Sequence, residues 1–393
     1  MMNADREMKK AVQFGAGNIG RGFLGQLFFE SGYETVFIDV DGTLVSELNR
    51  CRSYPLRIVG DNPREVLIKK VRAVRGDDIR AVAEEIKDAR IMATAVGVGA
   101  IRSVAPLIAR GMEARAKLKV AEPLNLIIAE NLLDSAAVVK RSVLENVAEG
   151  YRDYVEEHLG LVESVISRMV PVVPEEMRRK DSLSLMAEEY AILPVDRRGF
   201  KGEVAFLKGM VAYDNLKAYE ERKLFTHNCG HAISAYLGYQ HGCRYIYEAI
   251  SDKGIRAKVT GALWESGQAL IKKHGFKVEE QEAHIHDLLR RFGNAALRDT
   301  VARVARDPLR KLGPQDRLIG AARLALEYGI KPEYLSLGIA AALRYHNPED
   351  EKAVKLSRDI REKGIGRVLE NVCGLDQDGV LARMIVEKFR KIE

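Results

Sequence analysis

Cysteine is scarce in this 393-residue chain: there are four, Cys51, Cys229, Cys243 and Cys373, widely separated and without a CxxC pair. That excludes a disulfide framework and a four-thiolate zinc site, and it points to a reducing compartment. Long apolar runs are missing as well. The longest, near Met92 to Ile101, is about ten residues and broken by glycine, well short of the roughly 20 needed to cross a bilayer, so no membrane helix is expected. The first residues, Met1 to Met8, carry acidic side chains and no apolar stretch, which argues against a secretory signal. No low-complexity tract and no block of basic residues is found. The 62 Lys and Arg exceed the 56 Asp and Glu only enough to give a net charge of +6, spread along the chain. Such a mild excess suits a small anionic substrate better than a nucleic-acid groove. The expectation is a cytoplasmic protein with a small-molecule partner and neither nucleic acid nor membrane; composition leaves its oligomeric state open.

What is present is ordinary folded-protein material, 47% apolar and 30% charged, in a chain long enough for two or three domains. The first half alternates short β-rich runs with helical patterns. Candidate strands are Ala11–Phe14, Thr35–Asp39, Leu56–Val59, Ile91–Val96 and Leu124–Ala129, each apolar without polar alternation, as strands covered on both faces are. Parallel pairing through crossover helices follows. Leu161–Val173 and Leu183–Val195, punctuated by Pro171, Pro174 and Pro194, read as the sheet edge and an interdomain hinge. From about Phe200 onward the periodicity is helical, over Asn215–Tyr239, Arg256–His274, Glu279–Arg291 and Arg317–Tyr328. The expected fold is an α/β Rossmann-type N-terminal domain, residues 1–195, followed by a mainly α-helical domain, 196–393, with the cleft between them as the expected place for a ligand.

The N-terminal assignment rests on Ala11-Val12-Gln13-Phe14-Gly15-Ala16-Gly17-Asn18-Ile19-Gly20, an apolar strand running into G-x-G-x-x-G with a helical pattern behind it. Each glycine answers a physical need, Gly15 the tight turn, Gly17 the close approach of backbone to a pyrophosphate, Gly20 the packing of helix on strand. The helix start, at Ala16, Asn18 and Ile19, offers N–H groups and a positive dipole end to phosphates. A second strand ends on Asp39, whose carboxylate suits a ribose 2′-hydroxyl and would repel a 2′-phosphate, so NAD is expected rather than NADP. A flavin fits the same fingerprint. Thr94, Ala95 and Val96 end a further strand with residues small enough to pass close to a cofactor.

A second constellation lies in Glu220–His231. On an α-helix at about 100° per residue, with Lys223 at zero, Glu220 falls near 60°, His231 near 80° and Asn228 near 140°. Burying an ammonium, an amide, an imidazole and a carboxylate on one arc is costly unless the arc does chemistry. A partly desolvated Lys223 would lose its proton readily enough to act as base toward a secondary alcohol, and Asn228 would hydrogen-bond the developing alkoxide. A zinc site is the competing reading, since His227 and His231 stand four apart with Cys229 between them. Cys229, however, points about 160° from their midpoint, and no Glu follows His227 as in HExxH, so no metal is assigned.

These residues, with Phe14–Phe23, Thr94–Gly97, Glu130-Asn131, Arg222–Thr226, Gly230–Ala232, Ala235–Gly238, Pro308–Leu312 and Asp316–Leu318, resemble the polyol-specific long-chain dehydrogenase and reductase family nearly end to end. Its K-x4-N-x2-H pattern is met by Lys223, Asn228 and His231. The resemblance implies a reversible, metal-independent, NAD-linked oxidation of D-mannitol 1-phosphate to D-fructose 6-phosphate. It makes Lys223 the general base, Asn131 and Asn228 the oxyanion donors, His231 an orienting group for the sugar hydroxyls and Glu220 a proton relay to solvent. His227 and Cys229 stand where an apolar and a small residue are expected. A hexuronate reductase or a free-mannitol 2-dehydrogenase would share the trio, and a non-catalytic NAD-sensing regulator is the alternative from another class. For the substrate phosphate the candidates are Arg306, Arg310, Lys311 and Arg317, because guanidinium forks match phosphate oxygens.

Overall fold

The computed structural model describes residues 9–132 and 134–391; the N-terminal segment Met1 to Met8 read above lies outside them. Two compact units divide the chain after Leu216. The first holds eleven strands among the described residues: β1 (Lys10–Phe14), β2 (Glu34–Asp39), β3 (Ser53–Val59), β4 (Arg64–Lys69), β5 (Val71–Arg75), β6 (Ile91–Thr94), β7 (Leu124–Ile128), β8 (Leu159–Glu163), β9 (Leu185–Glu188), β10 (Leu193–Asp196) and β11 (Met210–Tyr213). Six make one sheet in the order β5-β2-β1-β6-β7-β8. All its pairs are parallel, and the order reverses direction at β1, as in doubly wound nucleotide-binding sheets.

The unbroken apolar runs are explained by burial on both faces. Val12, Phe14, Val36, Ile38, Met92, Leu126 and Ile128 enter one core with helices Ile79–Lys87, Ile101–Lys117 and Ser135–Leu144. Their neighbours Ala11, Ile91, Ala93 and Ile127 enter another with Phe23, Leu24, Leu27 and Phe28. Each large apolar side chain so covered contributes about 1.5–3 kcal/mol relative to exposure.

Two expectations are corrected here. Leu56–Val59 does not join the parallel sheet: β3 pairs antiparallel with β4 and parallel with β9 in a separate three-stranded sheet. Tyr54, Leu56 and Ile58 face a core while Arg57 is exposed, an alternation that marks a one-sided strand. The place beside β2 is taken by β5, whose arginines at 72 and 75 mask it. The expected boundary at 195/196 also moves, because β10 pairs in parallel with β11 across the loop between them, so the first unit continues through Leu216.

The second unit is helical. A long central helix, Lys253–His274, packs against helices Cys229–Gln240, Val278–Phe292, Ile319–Glu327 and Glu333–Leu343. Asp252 caps its start through Ile255 N–H at 2.8 Å, and Gly275 at φ 71° ends it. Gly230 lets the Cys229–Gln240 helix come close: a Cβ there would stand 2.5 Å from Leu263. No helix among the described residues is long and apolar enough to cross a membrane.

Candidate active site

In the first unit the glycine fingerprint sits at the carboxyl end of β1. Gly15 adopts φ +88°, and a Cβ there would collide with the Ala95 carbonyl; a Cβ on Gly20 would collide with the Gly15 carbonyl. Gly17 differs, since a Cβ there would meet nothing within 4 Å. Folding therefore requires Gly15 and Gly20, whereas Gly17 keeps open an exposed hollow next to Asn18 and Ile19 at the start of a helix, which is the fit a pyrophosphate needs. Asp39 ends β2 beneath this turn. One of its oxygens accepts from Ala16 N–H at 2.7 Å and the other from Asp41 N–H at 3.0 Å, and each oxygen keeps a second acceptor position for a hydroxyl.

Two further residues hold the turn in shape. Arg21 is buried, donates from Nε to the Ala16 carbonyl at 2.6 Å and from Nη1 to the Leu183 carbonyl at 2.8 Å, and lies over the Tyr54 ring. Glu130, past the end of β7, is also buried and accepts from Val96 N–H at 2.8 Å and Gly97 N–H at 2.9 Å. It fixes the Thr94–Val96 strand end against which Gly15 packs. Thr94 is buried, with no protein partner for its hydroxyl, and Ala95 and Val96 are half-buried. Asn131 directly follows Glu130, so it too lies past the carboxyl end of β7.

In the second unit the helix Leu216–Arg222 does not continue as an α-helix into Cys229–Gln240. Residues Lys223–Asn228 form a π-helical turn between them. This corrects the helical-wheel positions given above. A π-turn advances roughly 80° per residue, which brings Asn228 from about 140° to about 40° and His231 to about −20°, so Glu220, Lys223, Asn228 and His231 fall within an arc of about 80°. The turn buries Phe225, Thr226 and His227 and leaves Lys223 and Asn228 half-buried. Gly320 makes room for it, since a Cβ there would stand 2.7 Å from the Phe225 ring.

Lys223 keeps some exposed surface, yet enough protein surrounds it that desolvation pushes its pKa down to about 8. Arg317 pushes in the same direction, and the Glu220 carboxylate opposes them. His231 stacks on Phe292, ring centroids 5.0 Å apart and planes within 8°, and its Nε2 lies 3.0 Å from Asp299 Oδ2. The other Asp299 oxygen takes Arg303 Nε at 2.7 Å and Nη2 at 2.6 Å. His227 is turned into the unit, its ring 6.3 Å from that of His231. Burial, with Arg291 and other nearby positive groups, holds it well below the ordinary imidazole range, and its Nδ1 has no protein partner. Among the described residues no group of three His, Cys, Asp or Glu side chains that could hold a metal ion is found.

The four phosphate candidates separate. Lys311 is buried, its Nζ donates to the Arg306 carbonyl, and desolvation together with Arg317 and Arg310 lowers its pKa to about 7. Arg317 is mostly buried against Asp316, with Nε–Oδ1 2.7 Å, and lies within electrostatic reach of both Lys223 and Lys311. Arg306 and Arg310 are exposed, and Arg310 is engaged with Asp307 at 3.2 Å and Asp316 at 3.8 Å. Arg317 thus links Lys311 to the surroundings of Lys223, and the Arg306 carbonyl holds the Lys311 amine.

Sequence reasoning does not single out Arg21, Glu130 and Asp299 as functional side chains. For Asp299 the available signal is its i,i+4 spacing to Arg303; for the other two it is their place within or beside the quoted motifs.

Two family models match the chain, the mannitol dehydrogenase Rossmann domain over residues 9–209 and the mannitol dehydrogenase C-terminal domain over 215–392. The chain belongs to the mannitol dehydrogenase family. Membership makes it an oxidoreductase with a Rossmann-type unit for a nucleotide cofactor. Within the family it is 40% identical over 386 residues, 97% of its own length and all of the relative's, to a mannitol-1-phosphate 5-dehydrogenase of Bacillus velezensis. Among solved structures it is similar to a substrate-free D-sorbitol dehydrogenase, with TM-score 0.83 at 17% identity over 98% of this chain and 93% of that one. A mannitol 2-dehydrogenase of Pseudomonas fluorescens, in ternary complex with NAD and D-mannitol, gives TM-score 0.72 at 16% identity over 98% and 91%. At these identities the two structures speak for the fold alone.

Proposed function

We propose that this protein interconverts D-mannitol 1-phosphate and D-fructose 6-phosphate by hydride transfer with NAD, the first unit holding the dinucleotide and the second the substrate and the base. The observation that carries the reading is Lys223, an amine with a pKa of about 8 on the same arc as Asn228, His231 and Glu220. A general base works best with a pKa near the operating pH. The name of the Bacillus relative supports the phosphorylated substrate, and the open hollow at Gly17 with Asp39 beneath it supports NAD.

The bound dinucleotide would supply the hydride acceptor, taking hydrogen with its electron pair from the alcohol carbon. Neutral Lys223 Nζ takes the hydroxyl proton as the carbonyl forms, and the Asn228 amide donates to the oxygen on which charge develops. Asn131 is the second oxyanion donor in this reading. Glu220 stands three residues before the base and carries its proton toward solvent. His231 orients a neighbouring hydroxyl. Lys311 and Arg317 receive the phosphate; a dianion beside Lys311 would raise its pKa from about 7, so that the ammonium forms as the substrate binds.

The test is NADH absorbance. Fructose 6-phosphate should oxidise NADH and leave NADPH nearly untouched. Turnover confined to unphosphorylated fructose or to a hexuronate would replace the substrate assignment, and no turnover with any of them would leave a nucleotide-binding regulator.

A further inference from the structure

His231 has two ring nitrogens, and only one can face the substrate as an acceptor. Its Nε2 lies 3.0 Å from Asp299 Oδ2, and the ring is held in plane by Phe292. Asp299 is itself fixed. Its side chain is 9% exposed, Arg303 donates twice to Oδ1, and its backbone carbonyl accepts from Ile246 N–H at 2.9 Å. Burial would raise the Asp299 carboxyl, but the His231 and Arg303 hydrogen bonds and charges outweigh it and hold the group below the ordinary aspartate range. Asp299 is therefore an anion that can only accept, so a neutral His231 must carry its proton on Nε2.

We propose that Asp299 is a positioning residue that fixes His231 as the Nε2–H tautomer, so that Nδ1 meets a polyol hydroxyl as a hydrogen-bond acceptor. The hydroxyl must then donate to the imidazole, which directs its own lone pairs away from His231. The consequence for substrate class is a requirement for a free hydroxyl at that carbon, since a deoxy analogue or a methyl ether has no proton to give. The tautomer stands on the Asp299–His231 geometry alone; the hydroxyl contact and the kinetic consequence rest on the functional reading above.

Asp299→Asn tests it with almost no change of shape. Because Arg303 places two donors against Oδ1, the amide oxygen must stay on that side, and the NH2 then faces His231 Nε2. The ring is forced into the Nδ1–H form, the inversion known to disable imidazole–carboxylate pairs in other enzymes. Nitrogen-15 spectra of histidine-labelled protein at about pH 9, above the ordinary imidazole range, distinguish the tautomers, with His231→Gln supplying the assignment. Wild type should show Nε2 protonated, and Asp299→Asn should show the reverse, with kcat for polyol phosphate falling roughly 10- to 100-fold. In Asp299→Asn with Arg303→Met the amide is free to turn, and the wild-type tautomer should return.

An Nδ1–H signal in wild type, which needs no variant to fold, would overturn the assignment. So would an unchanged tautomer in Asp299→Asn, or an inverted one with kcat intact. Inversion in a protein that turns over no polyol phosphate would uphold the role of Asp299 while removing the substrate reading.

Discussion

Each unit carries a π-helical turn at its site, Gly20–Leu24 in the first and Lys223–Asn228 in the second, and they serve opposite ends. The first buries all five of its residues, Arg21 included, so what the fingerprint offers a ligand is the backbone of the exposed stretch before it, Gly17 and Asn18. The second buries its middle and leaves Lys223 and Asn228 half-buried at its two ends, so what it offers is side chains. Extra residues in a helical turn are common at functional sites because they change which positions share a face. Here the same irregularity tightens a backbone site in one unit and gathers a side-chain site in the other.

The largest effect that would break this contrast is loss of the amine. Lys223→Met should lower kcat by about 10²- to 10⁴-fold, the usual share of a general base, while NADH affinity, measured by fluorescence titration, stays as in wild type. A parallel loss of affinity would mean that the side-chain site is not separable from the backbone one.

The contrast also explains what can be read without coordinates. A site made of backbone must be written in glycines, so the strand, the turn that Gly15 and Gly20 require and the place of Asp39 at the end of the next strand can all be read from the sequence. A site made of side chains on one helix is legible only as residue types. A uniform 100° step leaves Asn228 far from Lys223, because nothing in Lys223–Asn228 announces a π-turn. Partners from distant segments are the hardest. Arg306, Arg310, Lys311 and Arg317 look alike as a charge run, and burial of Lys311 and Arg317 separates them only in three dimensions. In the fold, strands covered on both faces stand out by their apolar runs, whereas edge strand Val71–Arg75 carries charge and hides among the polar segments. Ser53–Val59 reads as an interior strand when only its last four residues are weighed.

A smaller effect sharpens the backbone half. Gly17→Val places a side chain in open space, so the melting temperature should hold while the dissociation constant for NADH rises by about 100-fold through steric exclusion of the phosphates. Gly20→Ala should behave differently, because its Cβ meets the Gly15 carbonyl; overpacking of this kind costs about 1–3 kcal/mol, and a lowered melting temperature should accompany the lost affinity. Were both variants to melt alike, the distinction between a glycine kept for folding and one kept for the ligand would fall.

The smallest effect probes how the side-chain site tunes its amine. With burial holding the Lys223 pKa down at about 8, an amine acting as the proposed base should make polyol oxidation rise with pH through about 8 and ketose reduction, which would need the ammonium, decline through it. Desolvation is the main cause of the lowered value, with Arg317 adding to it and Glu220 opposing it. Glu220→Gln removes a carboxylate that favours the ammonium, so the rising limb should move to lower pH; Arg317→Met removes a cation that disfavours it, so the limb should move to higher pH. Burial alone would leave both profiles where wild type has them. Displacement in opposite directions is the signature of an amine set by two charged neighbours within a single helical unit, which the exposed backbone of Gly17 and Asn18, carrying no titrating group, has no means to imitate.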